Sequence, residues 1–369
     1  VISGLVGNFT QLLLVRVGVA VGESGCVPPA QSLISDYFDR LERPRAMAIY
    51  WMSSPLSTIL AFLGGGWLIE QFGWRTTFIV IGLPGILLAV LVKLTLREPR
   101  LTNKTNTGTE TSTAANTRIT GEPENKQASL KHVLKTLWQK PAFRHVVMAF
   151  CISTFFGAGI GVWIPAFFIR SHGMEAGELG TWLAFTWGFG GLFFTFLGGF
   201  LATRYAARQE CLQMKAVTVL LVLSAVFHIL CYLSTNKYLA LLFVSIVAGG
   251  FMPLMGATIY ASIQSLVEGQ MRAVAFAFIF MLSNLIGLGL GPVAVGVISD
   301  TLSPSFGQES LRYALLLFSP GYLWCAFHCW KAANTIEEEI RSVESKADSM
   351  ETRAAALEPA VSTGLSTAG

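Results

Sequence analysis

Arg16 and Glu23 stand in the run "LLLVRVGVAVGESG" (12–25), which is otherwise almost entirely aliphatic and glycine. Seven residues make two helical turns, so the guanidinium and the carboxylate share a helix face, about 10 Å apart along its axis. Desolvation disfavours an ionised carboxylate and a nearby arginine favours it, and that balance permits a proton switch. The cavity would open to one side for Glu23 to take up a proton and to the other for its release. Arginine stays charged at any working pH, so Arg16 can be a fixed anchor for an anionic head group or the partner that holds Glu23 ionised. A structural ion pair locking this helix to its neighbours is the alternative use of both residues.

The elements that must position this pair are membrane helices. Of 369 residues, 53% are hydrophobic and 13% charged, with a mean hydropathy of +0.56. Apolar runs long enough to cross a ~30 Å hydrocarbon layer recur along the chain. Nine full spans are expected, at 9–36, 47–70, 76–96, 145–169, 180–202, 212–233, 239–265, 273–298 and 311–331. Residues 1–8 read as the end of another, and a chain opening on Val1 reads as one that lacks its N-terminus. No signal peptide or lipidation signal is visible. Lys and Arg accumulate on cytoplasmic loops, and 21 of the 26 fall on one side of the span list. That split predicts a cytoplasmic C-terminal tail. The net charge of +4 is accounted for by those loops and points to no nucleic-acid partner.

Depth sharpens the case for Glu23. It lies ~21 Å along its span, near the midplane, where an exposed charge costs on the order of 3 kcal/mol unless it meets water or a partner. The other eight spans carry no acid at mid-depth, and Lys93 is near enough to an end to snorkel. Pro28 and Pro29 follow at once and should loosen the helix beside the site. Pro55, Pro84, Pro165, Pro253 and Pro292 predict bends elsewhere.

Uncharged polar residues supply the rest of a binding cavity: Tyr50, Ser53 and Ser54 in one half, and Trp163, Tyr260, Gln264, Ser283 and Asn284 in the other. Gln264 and Asn284 rank first because amides at membrane depth need partners; interhelical hydrogen bonding is their alternative role. His228 is a second titratable group, read as a packed residue. Cys325, His328 and Cys329 could meet on one helical face, but they lack a fourth ligand and read as packing, so no metal or cofactor is expected. Nothing resembles a nucleophile–base constellation or a phosphate loop, so no enzymatic activity is expected.

Residues 99–140 form a polar, low-complexity linker, expected to be cytoplasmic and largely disordered. It separates the remnant of an N-terminal bundle (1–98) from a C-terminal six-helix bundle (141–333), and a tail (334–369) follows. A weak internal repeat joins the halves: Arg45-Ala46-Met47-Ala48 and Arg272-Ala273-Val274-Ala275 stand 227 residues apart, and Gly64 falls on Gly291 at the same offset. Paired six-helix bundles are an architecture of secondary transporters.

The order Arg16 … Gly22-Glu23, Asp36-Tyr37-Phe38, "RPRAMA", "GGGWLIEQFGWRTTF" and "LREPR" resembles the fourth to sixth helices of the major facilitator superfamily. The Arg-x-x-x-Gly-x-Gly-Glu pattern is similar to the Spinster branch and its bacterial relatives, although Ala20 replaces its first glycine. "RAVAFAF", "NLIGLGLGPVAVGVISD" and "SLRYAL" also look like that branch, and the resemblance covers residues 1–333 apart from the linker. It implies an all-α membrane protein with the major facilitator fold, two pseudo-symmetric helix bundles in which family helices 4–12 are present and helices 1–2 and most of 3 are missing.

The resemblance also implies gates. "GGFLATRYAAR" keeps Gly198, Gly199, Arg204 and Arg208 of the superfamily's loop motif but has Thr203 where that motif has Asp. Asp36, Arg40, Arg43 and Arg45 would pair with the loop motif to latch the inward side, with Arg272 in the equivalent place of the second half; topogenic charge explains the arginines equally well. Glu70 with Arg75, and Asp300 with Arg312, are candidate outer latches. The expected activity is secondary active transport by alternating access, proton-coupled through Glu23. The expected cargo is an organic anion or an anionic amphiphile, since Spinster relatives are linked to lysophospholipids and sphingosine phosphate. Arg16, Tyr50, Ser54, Trp163, Tyr260, Gln264 and Asn284 would bind it. An uncoupled facilitator or exporter, or an inactive truncated membrane protein, are the rival readings. A monomer in the bacterial inner membrane, among membrane lipid, is expected.

Overall fold

The computed structural model describes residues 1–24, 30, 33–34, 37–38, 42, 46, 49–50, 53–95, 135–205, 209–267, 271–342 and 345. All regular elements among them are helical. In chain order they are α1 (Phe9–Ser24), α2 (Ser53–Thr95), α3 (Pro141–His172), α4 (Ala176–Leu183), α5 (Gly191–Tyr205) and α6 (Glu210–Leu233). Then come α7 (Lys237–Ser245), α8 (Met252–Leu266), α9 (Arg272–Leu282), α10 (Gly291–Phe306), α11 (Ser310–Phe318) and α12 (Gly321–Ala333). The π-helical segments Ala184–Gly190, Ile246–Phe251 and Ser283–Leu290 run α4 into α5, α7 into α8 and α9 into α10.

Two apolar stretches, Ser53–Thr95 with 43 residues and Val274–Ala333 with 60, are respectively about two and three times as long as the ~20 residues one crossing needs. Each is broken where the backbone demands it. Gly73 adopts φ 73° inside α2, a conformation that side-chain-bearing residues rarely take. Gly307 does the same between α10 and α11 at φ 54°. With these breaks the described helices fall on the expected spans, the first of which, 9–36, is described as a helix over α1 alone. Pro28 and Pro29 lie outside the described residues. Pro84 and Pro165 sit inside helices that continue through them, whereas Pro253 and Pro292 each follow a π-helical segment. A proline removes one N–H from the helical ladder, and widening the preceding turn is one way for the chain to accommodate that loss. The segment Ala184–Gly190 has no proline and two glycines.

The described residues fall into two compact units, one drawn from 1–126 and 175–188, the other from 127–174 and 189–369. In the first, the early limb of α2 packs on α4. A methyl added at Gly66 would stand 2.6 Å from the Ala176 carbonyl oxygen and 3.1 Å from Gly180 Cα, the close backbone approach that replaces a hydrophobic drive between helices in lipid. Polar ties flank it: Trp67 Nε1–H donates to Thr181 Oγ1 at 3.1 Å, and Gly177 N–H donates to Glu70 Oε2 at 2.6 Å. Glu70 is therefore engaged with the α4 backbone and not with Arg75, which donates to the Val6 carbonyl at 3.4 Å and stacks on Trp74. The expected Glu70–Arg75 latch is replaced by these contacts.

In the second unit α3 is central. Methyls at Gly159 and Gly291 would collide with the facing helix: Gly159 with the Phe318 ring at 2.6 Å and the Gly291 carbonyl at 3.0 Å, and Gly291 with the Phe155 carbonyl. Arg312 closes one end of the unit, donating to the carbonyls of Tyr232, Ser234 and Ser171 at 3.3–3.5 Å while pairing with Glu309. Its expected partner Asp300 is exposed, and the neighbour in sequence takes its place. His228 is buried, stacked between Tyr232 and Tyr322, with Nδ1 2.9 Å from the Ser224 carbonyl. Packing is the role these contacts give it.

Candidate transport site

α1 is built from β-branched, leucine and glycine residues with Arg16 and Glu23 as its two charges. Gln11 N–H donates to Asn8 Oδ1 at 2.9 Å, which caps the helix start. Both charged side chains are exposed, as are Leu13, Leu14, Val17 and Val21 around them. Neither is sealed between packed neighbours. No ion pair with a described residue engages either one, so a lock between Arg16 and Glu23 within α1 is not formed.

The other candidates divide by what they touch. The Tyr50 carbonyl accepts from Ser53 Oγ at 2.7 Å, and the Ser54 carbonyl accepts from Ser57 and Thr58 at 2.8 and 3.1 Å. The Ser54 side chain is exposed and Tyr50 half-buried. Trp163 is half-buried, and its Nε1–H donates to the Pro292 carbonyl at 2.9 Å. That bond ties α3 to α10 and commits the one polar group of the ring. Asn284 lies in the π-helical segment after α9 with its side chain exposed, and its side-chain amide makes no hydrogen bond with a described residue. Ser283 beside it is buried. Tyr260 and Gln264 belong to α8, but their side chains lie outside the described residues.

Of the expected gating residues, Arg204 ends α5 with an exposed side chain. Arg272 begins α9, its side chain outside the described set. Asp36, Arg40, Arg43, Arg45 and Arg208 also lie outside the described residues. The loop-motif glycine Gly198 has a packing role: a methyl there would stand 2.7 Å from the Leu254 carbonyl of α8.

Sequence reading missed the pairing of His145 with His328, whose Nδ1 atoms are 2.9 Å apart. One ring must donate and the other accept, so the contact requires at least one neutral imidazole. The two stand 183 residues apart, and no local signal joins them. His328 is thus engaged with His145, Cys325 and Cys329 are buried, and the described residues contain no cluster of three or more metal-ligating side chains.

Comparison with known proteins fits this helical frame. Residues 1–292 match the Major Facilitator Superfamily. The chain is 30% identical over 322 residues to an "MFS-type efflux pump" of Mycolicibacterium smegmatis, covering 86% of this chain and 69% of that protein. It is 27% identical over 341 residues to mouse "Protein spinster homolog 1", covering 87% of this chain but 61% of the relative's length. The crystal structure of a bacterial homologue of the human lysosomal transporter Spinster, inward-facing and occupied, superposes with a TM-score of 0.71 at 25% identity. That match spans 91% of this chain and 80% of the other. Family and relatives alike are membrane transporters and not enzymes. The chain therefore belongs to the Major Facilitator Superfamily, and within it is similar to the Spinster proteins.

Proposed function

We propose that the protein is a secondary active transporter that moves an organic anion, or an amphiphile with an anionic head, by alternating access, coupled to protons through Glu23. The observation that carries this reading is the exposure of Arg16 and Glu23 on one apolar helix, with neither in an ion pair with a described residue. A charge at bilayer depth is tolerated where water and cargo reach it, and a transport pathway supplies both. Arg16 anchors the anionic group, while Tyr50, Ser54, Trp163, Tyr260, Gln264 and Asn284 contribute to the cavity around it. Asp36, Arg40, Arg45, Arg204, Arg208 and Arg272 work the gates. The resemblance to the Spinster branch, whose members are linked to lysophospholipids, favours an amphiphilic cargo; the basic loops favour a cytoplasmic C-terminus, and the membrane we propose is a bacterial inner membrane.

The test is uptake into proteoliposomes. Matched sets of lysophospholipids, fatty acids and small carboxylates are offered with and without an imposed pH gradient. Saturable uptake of an anionic compound, accelerated by the gradient, is the expected result. Uptake of none of these anions, or uptake indifferent to the gradient, contradicts the reading.

A further inference from the structure

We propose that the second unit holds an anionic phospholipid of the surrounding bilayer in a slot between α3, the π-helical segment Ser283–Leu290 and α12, with Arg144 and Lys331 gripping its head group. The slot has a volume of about 320 Å³, at the lower end of the range for ligand pockets, and its lining is wholly apolar. Val147, Cys151 and Ile152 form a buried floor, while Trp138, Ile286 and Trp324 form an exposed rim. The floor residues recur at i, i+4 and i+5 on one face of α3, so the slot follows the helix axis. It is a groove shaped for a chain, opening sideways.

Charge gathers at one end only. One turn before Met148 of the slot wall stand Arg144 and His145, and His145 meets His328, one turn beyond Trp324. Lys331 follows on the same helix, its Nζ 5.2 Å from the Trp330 ring and 5.7 Å from that of Phe327. Arg144 adjoins His145 on α3 and Lys331 stands three residues past His328 on α12, so the His145–His328 contact brings both cations to the same end of the slot. Of the described acids in the turn beyond α12, Glu339 accepts from Ala142 N–H at 2.7 Å and so caps α3, and Glu337 pairs with Arg341. Trp330 lies beside Lys331, and Trp138 and Trp324 stand on the slot rim; such rings favour head-group depth.

A small soluble anion has no use for a long apolar slot, whereas a membrane lipid presents a chain and a phosphate together. Lipid tails gain little by exchanging lipid for leucine-like walls. Selectivity must therefore come from the head group, at about five-fold in affinity for each cation.

Native mass spectrometry of the full chain in detergent, titrated with phosphatidylglycerol or with phosphatidylcholine of the same chains, tests this. Phosphatidylglycerol should be retained in preference. The double variant R144Q/K331Q should lose that preference by about twenty-five-fold while keeping its phosphatidylcholine binding. Cys151→Phe, which fills the floor, should lower retention of both lipids, and Ile152→Phe repeats the arm should the first variant fail to fold. Equal retention of the two lipids by the wild type overturns the proposal, as does an unchanged preference in the double variant. So does loss of retention in Arg16→Gln with none in the double variant, since the lipid would then occupy the transport pathway.

Discussion

Arg312 shows how much one side chain can hold when its donors meet helix ends. Its guanidinium serves carbonyls on Ser171, Tyr232 and Ser234, residues far from it in sequence, and pairs with Glu309. Replacing it with Met keeps the stem but leaves those carbonyls and the carboxylate without their donor, at a cost of about 1–3 kcal/mol. Thermal unfolding in detergent should show a lower midpoint for Arg312→Met, and an unchanged midpoint would refute the clamp. The role proposed for Arg16 is different, an anchor for cargo. Arg16→Gln should raise the half-saturation concentration of an anionic substrate about ten-fold in proteoliposomes, a loss of about 1.4 kcal/mol, and equal affinities would remove its anchoring role. Both candidates of α1 were legible because charge is scarce in apolar spans. The partners of Arg312 were not, because the pairing with Asp300 rested on a spacing that merely permits it and nothing local encodes a carbonyl on another helix.

At the scale of elements, glycines mark the closest contacts. A methyl at Gly291 meets the Phe155 carbonyl, whereas one at Gly199 meets nothing within 4 Å. Gly291→Ala should therefore destabilise by about 1–3 kcal/mol, as overpacking does, and Gly199→Ala should not. Equal unfolding midpoints for the two variants would contradict this geometry. Helix existence was legible throughout, since apolar length alone identifies a span. The form of the interruptions was not. Pro253 and Pro292 are accompanied by widened π-helical turns, and Pro84 and Pro165 by continuous helix; which response occurs depends on neighbours that a single helix cannot specify. Trp163 illustrates the same limit: its ring suits a cavity wall, and nothing in the sequence joins its Nε1–H to the Pro292 carbonyl.

For the whole molecule, the asymmetry of Lys and Arg predicts an orientation that labelling can read. Cys211, half-exposed beside the basic 203–215 segment, should react with a membrane-impermeant maleimide in inside-out vesicles and resist it in right-side-out ones. The opposite pattern would invert the assignment. The central claim, that an acid at bilayer depth couples cargo to protons, is tested most directly by comparing wild type with Glu23→Gln for gradient-driven uptake and for substrate exchange at equal pH. The account expects the variant to exchange substrate at near wild-type rates while losing its response to the gradient; uptake that the gradient still drives in Glu23→Gln would contradict it.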